Sequence, residues 1–280
     1  PHTKTFGFWQ YVIGEIKKEH PETIFLAEAF TRPKVMYRLA KVGFTQSYTY
    51  FSWRNTKWEL EQYMRELSTP PVRDFFRPNF WPNTPDILPE VLQYGGRPAF
   101  VIRFILAATL SASYGIYGPP FERFVNAALP GREEYLDSEK YEIKDWDWEN
   151  ADHMRELIGR VNHIRRDNPA LQTTWNVHFC ETDNDNLICY VKTTENHDNI
   201  LLVAVNLDPF HKQAGKIRLP MESLGLSAGH PFLVHDLLGE ERNIWHSEWN
   251  PIELDPHQMP AAIFRLYPRL RREQDFDYFM

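Results

Sequence analysis

Apolar and polar positions alternate in two different rhythms along the 280 residues. The first covers residues 1 to about 169. Ile24-Phe25-Leu26-Ala27 is a short continuous apolar run that ends in Glu28, the pattern of a parallel strand covered on both faces. A helix should follow, with Thr31 near its cap and Pro33 in its first turn. Strands are expected at 47–51, 79–83 and 114–117, and helices at 56–67, 97–110 and 150–166, the last stopped by Pro169. This strand–helix order predicts a parallel sheet. No Gly-rich turn follows the first strand, so half of a (β/α)8 barrel fits better than an open doubly wound sheet.

The rhythm changes near residue 170. Runs with strand propensity at 175–181, 186–193, 200–207, 215–219, 232–236, 250–254 and 261–266 are separated by turn residues such as Asp183-Asn184-Asp185 and Asp208-Pro209. That spacing predicts an antiparallel β-sandwich. The expected organisation is therefore α/β plus all-β: half-barrel 1–169, sandwich 170–268 and polar tail 269–280. A hairpin centred between Asn184 and Asp185 would set Cys180 opposite Cys189 as cross-strand neighbours, with a disulfide disfavoured in a reducing cytoplasm.

Composition narrows the function. The net charge is −7, from 31 basic and 38 acidic residues, which argues against nucleic acid as the main partner. The apolar stretch Phe100 to Leu110 is broken by Arg103 and is too short to span a bilayer. The two cysteines exclude a four-cysteine zinc site, and the 11 histidines show no metal-ligand spacing. No cofactor is expected. Gly95-Gly96 lacks the Lys-Ser/Thr ending of a phosphate loop and reads as loop punctuation. Trp146, Trp148, Trp245 and Trp249 could offer sugar platforms, but packing is the more economical role. The chain starts at Pro1 rather than Met, as expected inside a longer reading frame or after processing.

The chemistry lies in two acids. A carboxylate at the C-terminal end of a buried parallel strand needs work or a partner there, and in a barrel that end is the active-site face. Glu28 fits this position, and Asp86 stands three residues past the strand expected to end at Asn83. Paired carboxylates at a barrel mouth are suited to glycosidic-bond chemistry.

Phe25-Leu26-Ala27-Glu28-Ala29-Phe30 resembles the segment carrying the general acid/base in the alpha-amylase superfamily. Phe80-Trp81-Pro82-Asn83-Thr84-Pro85-Asp86 resembles the segment carrying its transition-state-stabilising Asp, with Asn-Thr-Pro-Asp in place of the usual Asn-His-Asp. Three further stretches, Pro1-His2-Thr3-Lys4, residues 45–51 and residues 130–141, narrow the similarity to the alpha-1,4-glucan:maltose-1-phosphate maltosyltransferase family. The resemblance reaches to about Leu266. It implies retaining transfer of maltosyl from alpha-maltose 1-phosphate to the non-reducing end of an alpha-1,4-glucan, with Glu28 as acid/base, Asp86 as stabiliser, and Lys140 and Tyr141 contacting the donor sugar. It implies a nucleophilic Asp two residues before the Pro-His-Thr-Lys segment, hence before Pro1, so these 280 residues should be inactive alone. His2 and Lys4 would lie beside that nucleophile. A homodimeric full-length enzyme is also implied. A related alpha-glucan hydrolase or transglycosylase, and a non-catalytic glucan-binding piece, are the alternatives.

Overall fold

A computed structural model describes residues 1–268 except 151, 227 and 228; the polar tail expected at 269–280 lies outside the described residues. Helix α1 (Phe6–Glu19) comes first and had no counterpart in the sequence reading. Then follow β1 (Leu26–Ala27), α2 (Pro33–Lys41), β2 (Gln46–Tyr48), α3 (Lys57–Ser68), α4 (Val72–Phe75), β3 (Pro78–Asn79), α5 (Glu90–Tyr94), α6 (Gly96–Leu110) and α7 (Arg155–Asp167). Pro33 occupies the first turn of α2, where its missing N–H costs nothing. Helix α3 opens on a capping box: the Glu59 amide donates to the Thr56 hydroxyl at 3.3 Å, and the Thr56 amide donates to Glu59 Oε2 at 3.0 Å.

Strands β1, β2 and β3 form a parallel sheet in that order, with Ala27 opposite Ser47 and Tyr48 opposite Asn79. Parallel pairing brings their C-terminal ends to one edge. Strand β2 is shorter than expected, because residues 50–53 turn into a 3₁₀ helix. The strand expected at 114–117 is reduced to a single parallel bridge between Phe80 and Tyr114. Ile24 and Leu26 are exposed instead of covered, because β1 is the outer strand of this sheet among the described residues.

Helix α6 is apolar all round and buried from Ala99 to Leu110. It lies between the parallel strands and a six-stranded antiparallel sheet ordered β10-β9-β12-β7-β6-β4, comprising β4 (Val177–Phe179), β6 (Leu187–Thr193), β7 (Ile200–Asn206), β9 (Phe232–Asp236), β10 (Arg242–Trp245) and β12 (Ala261–Tyr267). A three-stranded sheet of β5 (Glu181–Thr182), β8 (Gln213–Arg218) and β11 (Trp249–Leu254) completes the region. Strand β10 was not anticipated, since its residues Arg242-Asn243-Ile244-Trp245 are largely exposed and carry little apolar alternation.

Strands β6 and β7 are buried along both faces because they serve two cores. Ile188, Tyr190, Leu201, Val203 and Val205 join the cluster around α6, while Leu187, Cys189, Val191, Leu202 and Ala204 face the three-stranded sheet. A period of two distributes a continuous apolar run between two layers. The first cluster is continuous from Met36 to Ile263, so both halves of the chain share one core.

The C-terminal carbonyls of α6 end inside this core and need partners. Buried Lys192 donates to the Leu110 carbonyl at 3.3 Å, and Arg165 donates to the Ala112 carbonyl at 2.7 Å and the Ser111 carbonyl at 3.2 Å. Burial, and then the neighbouring Arg165, pull the Lys192 ammonium down to about 7, so Arg165 is the cation that complements the helix dipole at this end.

The expected cysteine register is present. Val177, His178 and Phe179 pair with Lys192, Val191 and Tyr190, and the Cys180 amide donates to the Cys189 carbonyl at 2.8 Å. Both thiols are free and buried. Burial, and then the neighbouring Cys180, push the Cys189 thiol well above its ordinary pKa, which suppresses the reactive thiolate. A thiol reagent should therefore label both cysteines slowly in the native protein and fully after denaturation, with or without prior reductant. A requirement for reductant would contradict the free pair.

Candidate active site

The shared edge of the parallel strands carries the acids. Glu28 follows β1 directly and is flanked by buried Ala27 and Ala29, which fix the backbone while the carboxylate faces solvent. Asp86 sits in a tight loop after β3. Thr84 and Ile87 exchange backbone hydrogen bonds of 3.0 and 3.2 Å, and the Asp86 amide donates to the Thr84 hydroxyl at 3.2 Å.

Glu28 and Asp86 are electrostatic neighbours. Partial desolvation, followed by the Asp86 charge, holds the Glu28 carboxyl above the usual carboxylate range. The nearby Thr84 hydroxyl and the charge of Lys140 act in the opposite direction. Lys140 forms an ion pair with Asp86, which raises the Lys140 pKa. The Lys140 ammonium lies 5.5 Å from the centre of the Tyr141 ring. All four residues singled out from the sequence thus lie together, and Asp86, Lys140 and Tyr141 line a small cavity of about 80 Å³. His2 and Lys4 are exposed near the chain start. A larger open cavity, about 1260 Å³, lies by Arg77 and Trp175, at the opposite ends of the strands from the acids.

Aromatic side chains wall the acid pair. Tyr48 stacks on Trp81 with ring centres 4.7 Å apart. Burial, with a contribution from Glu28, pushes the Tyr48 phenol up to about 12, so it stays protonated. Phe30 meets Tyr48, Tyr50 and Trp53 edge-on at 6.2, 6.1 and 5.1 Å. Gly115 makes room for Trp81: a Cβ there would lie 2.3 Å from Trp81 Cζ2. Gly115→Ala should therefore destabilise the fold by about 1–3 kcal/mol through overpacking. Urea unfolding checks this, and an unchanged midpoint would mean that the ring has space to shift.

Several supporting residues were not singled out from the sequence. Asn83 is fully buried; its amide nitrogen donates to the Tyr117 carbonyl at 3.0 Å and the Tyr135 hydroxyl at 2.7 Å, and its oxygen accepts from the Tyr117 amide at 2.9 Å. Glu133 accepts from the Trp53 indole at 2.6 Å and the Glu90 amide at 3.0 Å. Trp146 donates to Glu139 at 2.8 Å, whereas Trp148 and Trp249, expected to pack, are exposed. Trp245 packs edge-on against Phe232 and Phe264 in the sheet core. The available signal was a polar residue inside an apolar or aromatic stretch, as with Asn83 and Thr84. Among the described residues, no group of three or more His, Cys, Asp or Glu could hold a metal ion.

Known structures place this architecture in a class. An alpha-amylase from Anoxybacillus superposes with a TM-score of 0.71 at 14% identity, covering 96% of this chain and 57% of that one. The Geobacillus thermoleovorans alpha-amylase does so with a TM-score of 0.67 at 13% identity, covering 96% and 58%. The fold is alpha-amylase-like. At the level of sequence, residues 179–266 match the family model described as GLGE, C-terminal. Proteins named alpha-1,4-glucan:maltose-1-phosphate maltosyltransferase are 53% identical over 272 residues in Chlorobaculum tepidum and 54% identical over 267 residues in Methylacidiphilum infernorum. The chain belongs to this maltosyltransferase family. The matches cover 95% of this chain but only 41% and 40% of those relatives, so the chain spans about two fifths of their length.

Proposed function

We propose that this chain is part of an enzyme that transfers maltosyl, with retention, from alpha-maltose 1-phosphate to the non-reducing end of an alpha-1,4-glucan. The observation that carries the reading is the close Glu28–Asp86 pair, with Lys140 bound to Asp86, at the shared C-terminal edge of parallel strands. Retention proceeds by two displacements through a glycosyl-enzyme ester. Glu28, whose carboxyl is held above the usual carboxylate range by its surroundings, gives its proton to the departing phosphate oxygen. It then takes the proton from the acceptor hydroxyl. Asp86 stabilises the oxocarbenium charge that develops in each step. Lys140 and Tyr141 contact the donor sugar from the adjoining loop. By the family resemblance, the nucleophile is an Asp two residues before the Pro1-His2-Thr3-Lys4 segment.

In this reading residues 1–169 form the C-terminal half of a (β/α)8 barrel and 170–268 a β-sandwich, with 269–280 as a tail. The resemblance also carries a homodimeric, cytoplasmic full-length enzyme. Phosphate release from alpha-maltose 1-phosphate with a glucan acceptor tests the proposal in the full-length protein. Release coupled to glucan extension is expected, and starch hydrolysis without use of the phosphorylated donor would overturn it. The 280 residues alone should release no phosphate.

A further inference from the structure

The segment between α6 and α7, residues 111–154, contains only isolated bridges among its described residues. Lys140 and Tyr141 lie on its outer part, where Tyr141 is 83% exposed and Ile143 fully so. Such a surface segment has little apolar burial to hold it. A lysine there would spread over many positions unless something fixed the backbone beside it.

Glu139 supplies that restraint. Its Oε2 accepts from the Tyr117 hydroxyl at 3.0 Å and its Oε1 from the Trp146 indole at 2.8 Å. Both carboxylate oxygens are therefore used, one toward the body of the fold and one across the loop. Tyr117 is itself anchored: Asn83 grips its backbone through both N–H and C=O, and Tyr117 packs edge-on against Tyr135 at 5.7 Å. Asn83 lies three residues before Asp86. Lys140 reaches Asp86 from one side and Asn83 holds the Asp86 loop from the other, so both are referred to the same tyrosine.

We infer that Glu139 is a positioning residue that, through Tyr117 and Trp146, fixes the donor-side loop so that Lys140 engages Asp86. This rests on the reading of Lys140 as a donor contact. Glu139 does not itself touch substrate; it converts a floppy segment into a preorganised wall, so that the loop-ordering cost is met on folding instead of on binding. Charge-assisted acceptance suits the task, since such bonds are stronger than neutral ones.

The test uses the full-length enzyme with Glu139→Ala, Glu139→Gln, Tyr117→Phe and Trp146→Phe. Glu139→Ala should raise KM for alpha-maltose 1-phosphate about tenfold and change kcat less. It should also speed proteolytic cleavage within 138–150 while leaving the global unfolding midpoint unchanged. Glu139→Gln keeps one acceptor oxygen and should recover part of both effects. Tyr117→Phe and Trp146→Phe should each reproduce part of the cleavage effect. In a Lys140→Ala background, Glu139→Ala should add little to KM, because the contact it positions is already gone. Wild-type cleavage rate and KM in Glu139→Ala would overturn the inference. Faster cleavage with unchanged KM in both Glu139→Ala and Lys140→Ala would leave the clamp standing and remove the donor-contact role of Lys140.

Discussion

Glu28→Gln in the full-length enzyme should lower kcat for phosphate release about 10²–10⁴-fold while leaving the unfolding midpoint unchanged. The magnitude is that of a removed general acid–base catalyst, and the stability is spared because the side chain faces solvent and carries no core contact. The pH profile gives the finer test. In the proposed mechanism the first displacement needs Glu28 protonated, so activity should fall as pH rises through its elevated pKa. Asp86 raises that pKa and Lys140 lowers it. Removing the negative neighbour with Asp86→Asn should therefore move the alkaline limb of the residual activity to lower pH. Lys140→Met should move it to higher pH. Opposite displacements are the signature of one shared electrostatic site; shifts of the same sign, or none, would separate Glu28 from the pair.

Arg103→Ala should destabilise the protein by about 3–5 kcal/mol, the range for losing two hydrogen bonds to a charged group together with the cavity left behind. Arg103 is 1% exposed in the middle of apolar α6. It donates to the Arg54 carbonyl at 2.6 Å and to the Phe51 carbonyl, and its guanidinium lies 3.9 Å from the centre of the Phe51 ring. Burial lowers its pKa to about 9, so the cation persists at neutral pH. The alanine variant loses these bonds, orphans the Arg54 carbonyl, leaves the Phe51 carbonyl with the Arg54 amide alone, and opens a cavity. Arg103→Lys should recover only part, since one ammonium cannot reproduce the planar fork. The turn carries Tyr50 and Trp53, which pack on Phe30 two residues past Glu28, so activity should decline with stability. Chemical unfolding of the full-length protein measures the loss, and a change below 1 kcal/mol would show that water replaces the guanidinium.

These two residues also mark what could be read before the fold. Arg103 was visible only as an interruption of an apolar stretch. Its partners are carbonyls some fifty residues earlier in the chain, and backbone acceptors leave no trace in residue type. Glu28 and Asp86 were legible because a carboxylate closing an apolar strand is costly and because their surrounding wording is family-specific. Helix α1 escaped notice because its apolar face, anchored by Ile13, is interrupted and largely exposed. The strand expected at 114–117 gave way to one bridge because Tyr117 satisfies its backbone on the Asn83 side chain instead of on a neighbouring strand.

The chain alone determined its period changes, its capping signals and the Cys180–Cys189 register, since each depends on neighbours a few residues apart or on one symmetric hairpin. Only tertiary structure decided that Glu28 lies beside Asp86, that Lys140 pairs with Asp86, and that Glu139 joins its loop to Tyr117. Those contacts join segments whose separation in sequence carries no periodic signal. They form because packing around α6 and the parallel strands closes the intervening chain onto one edge, where polar groups that lose water must find each other.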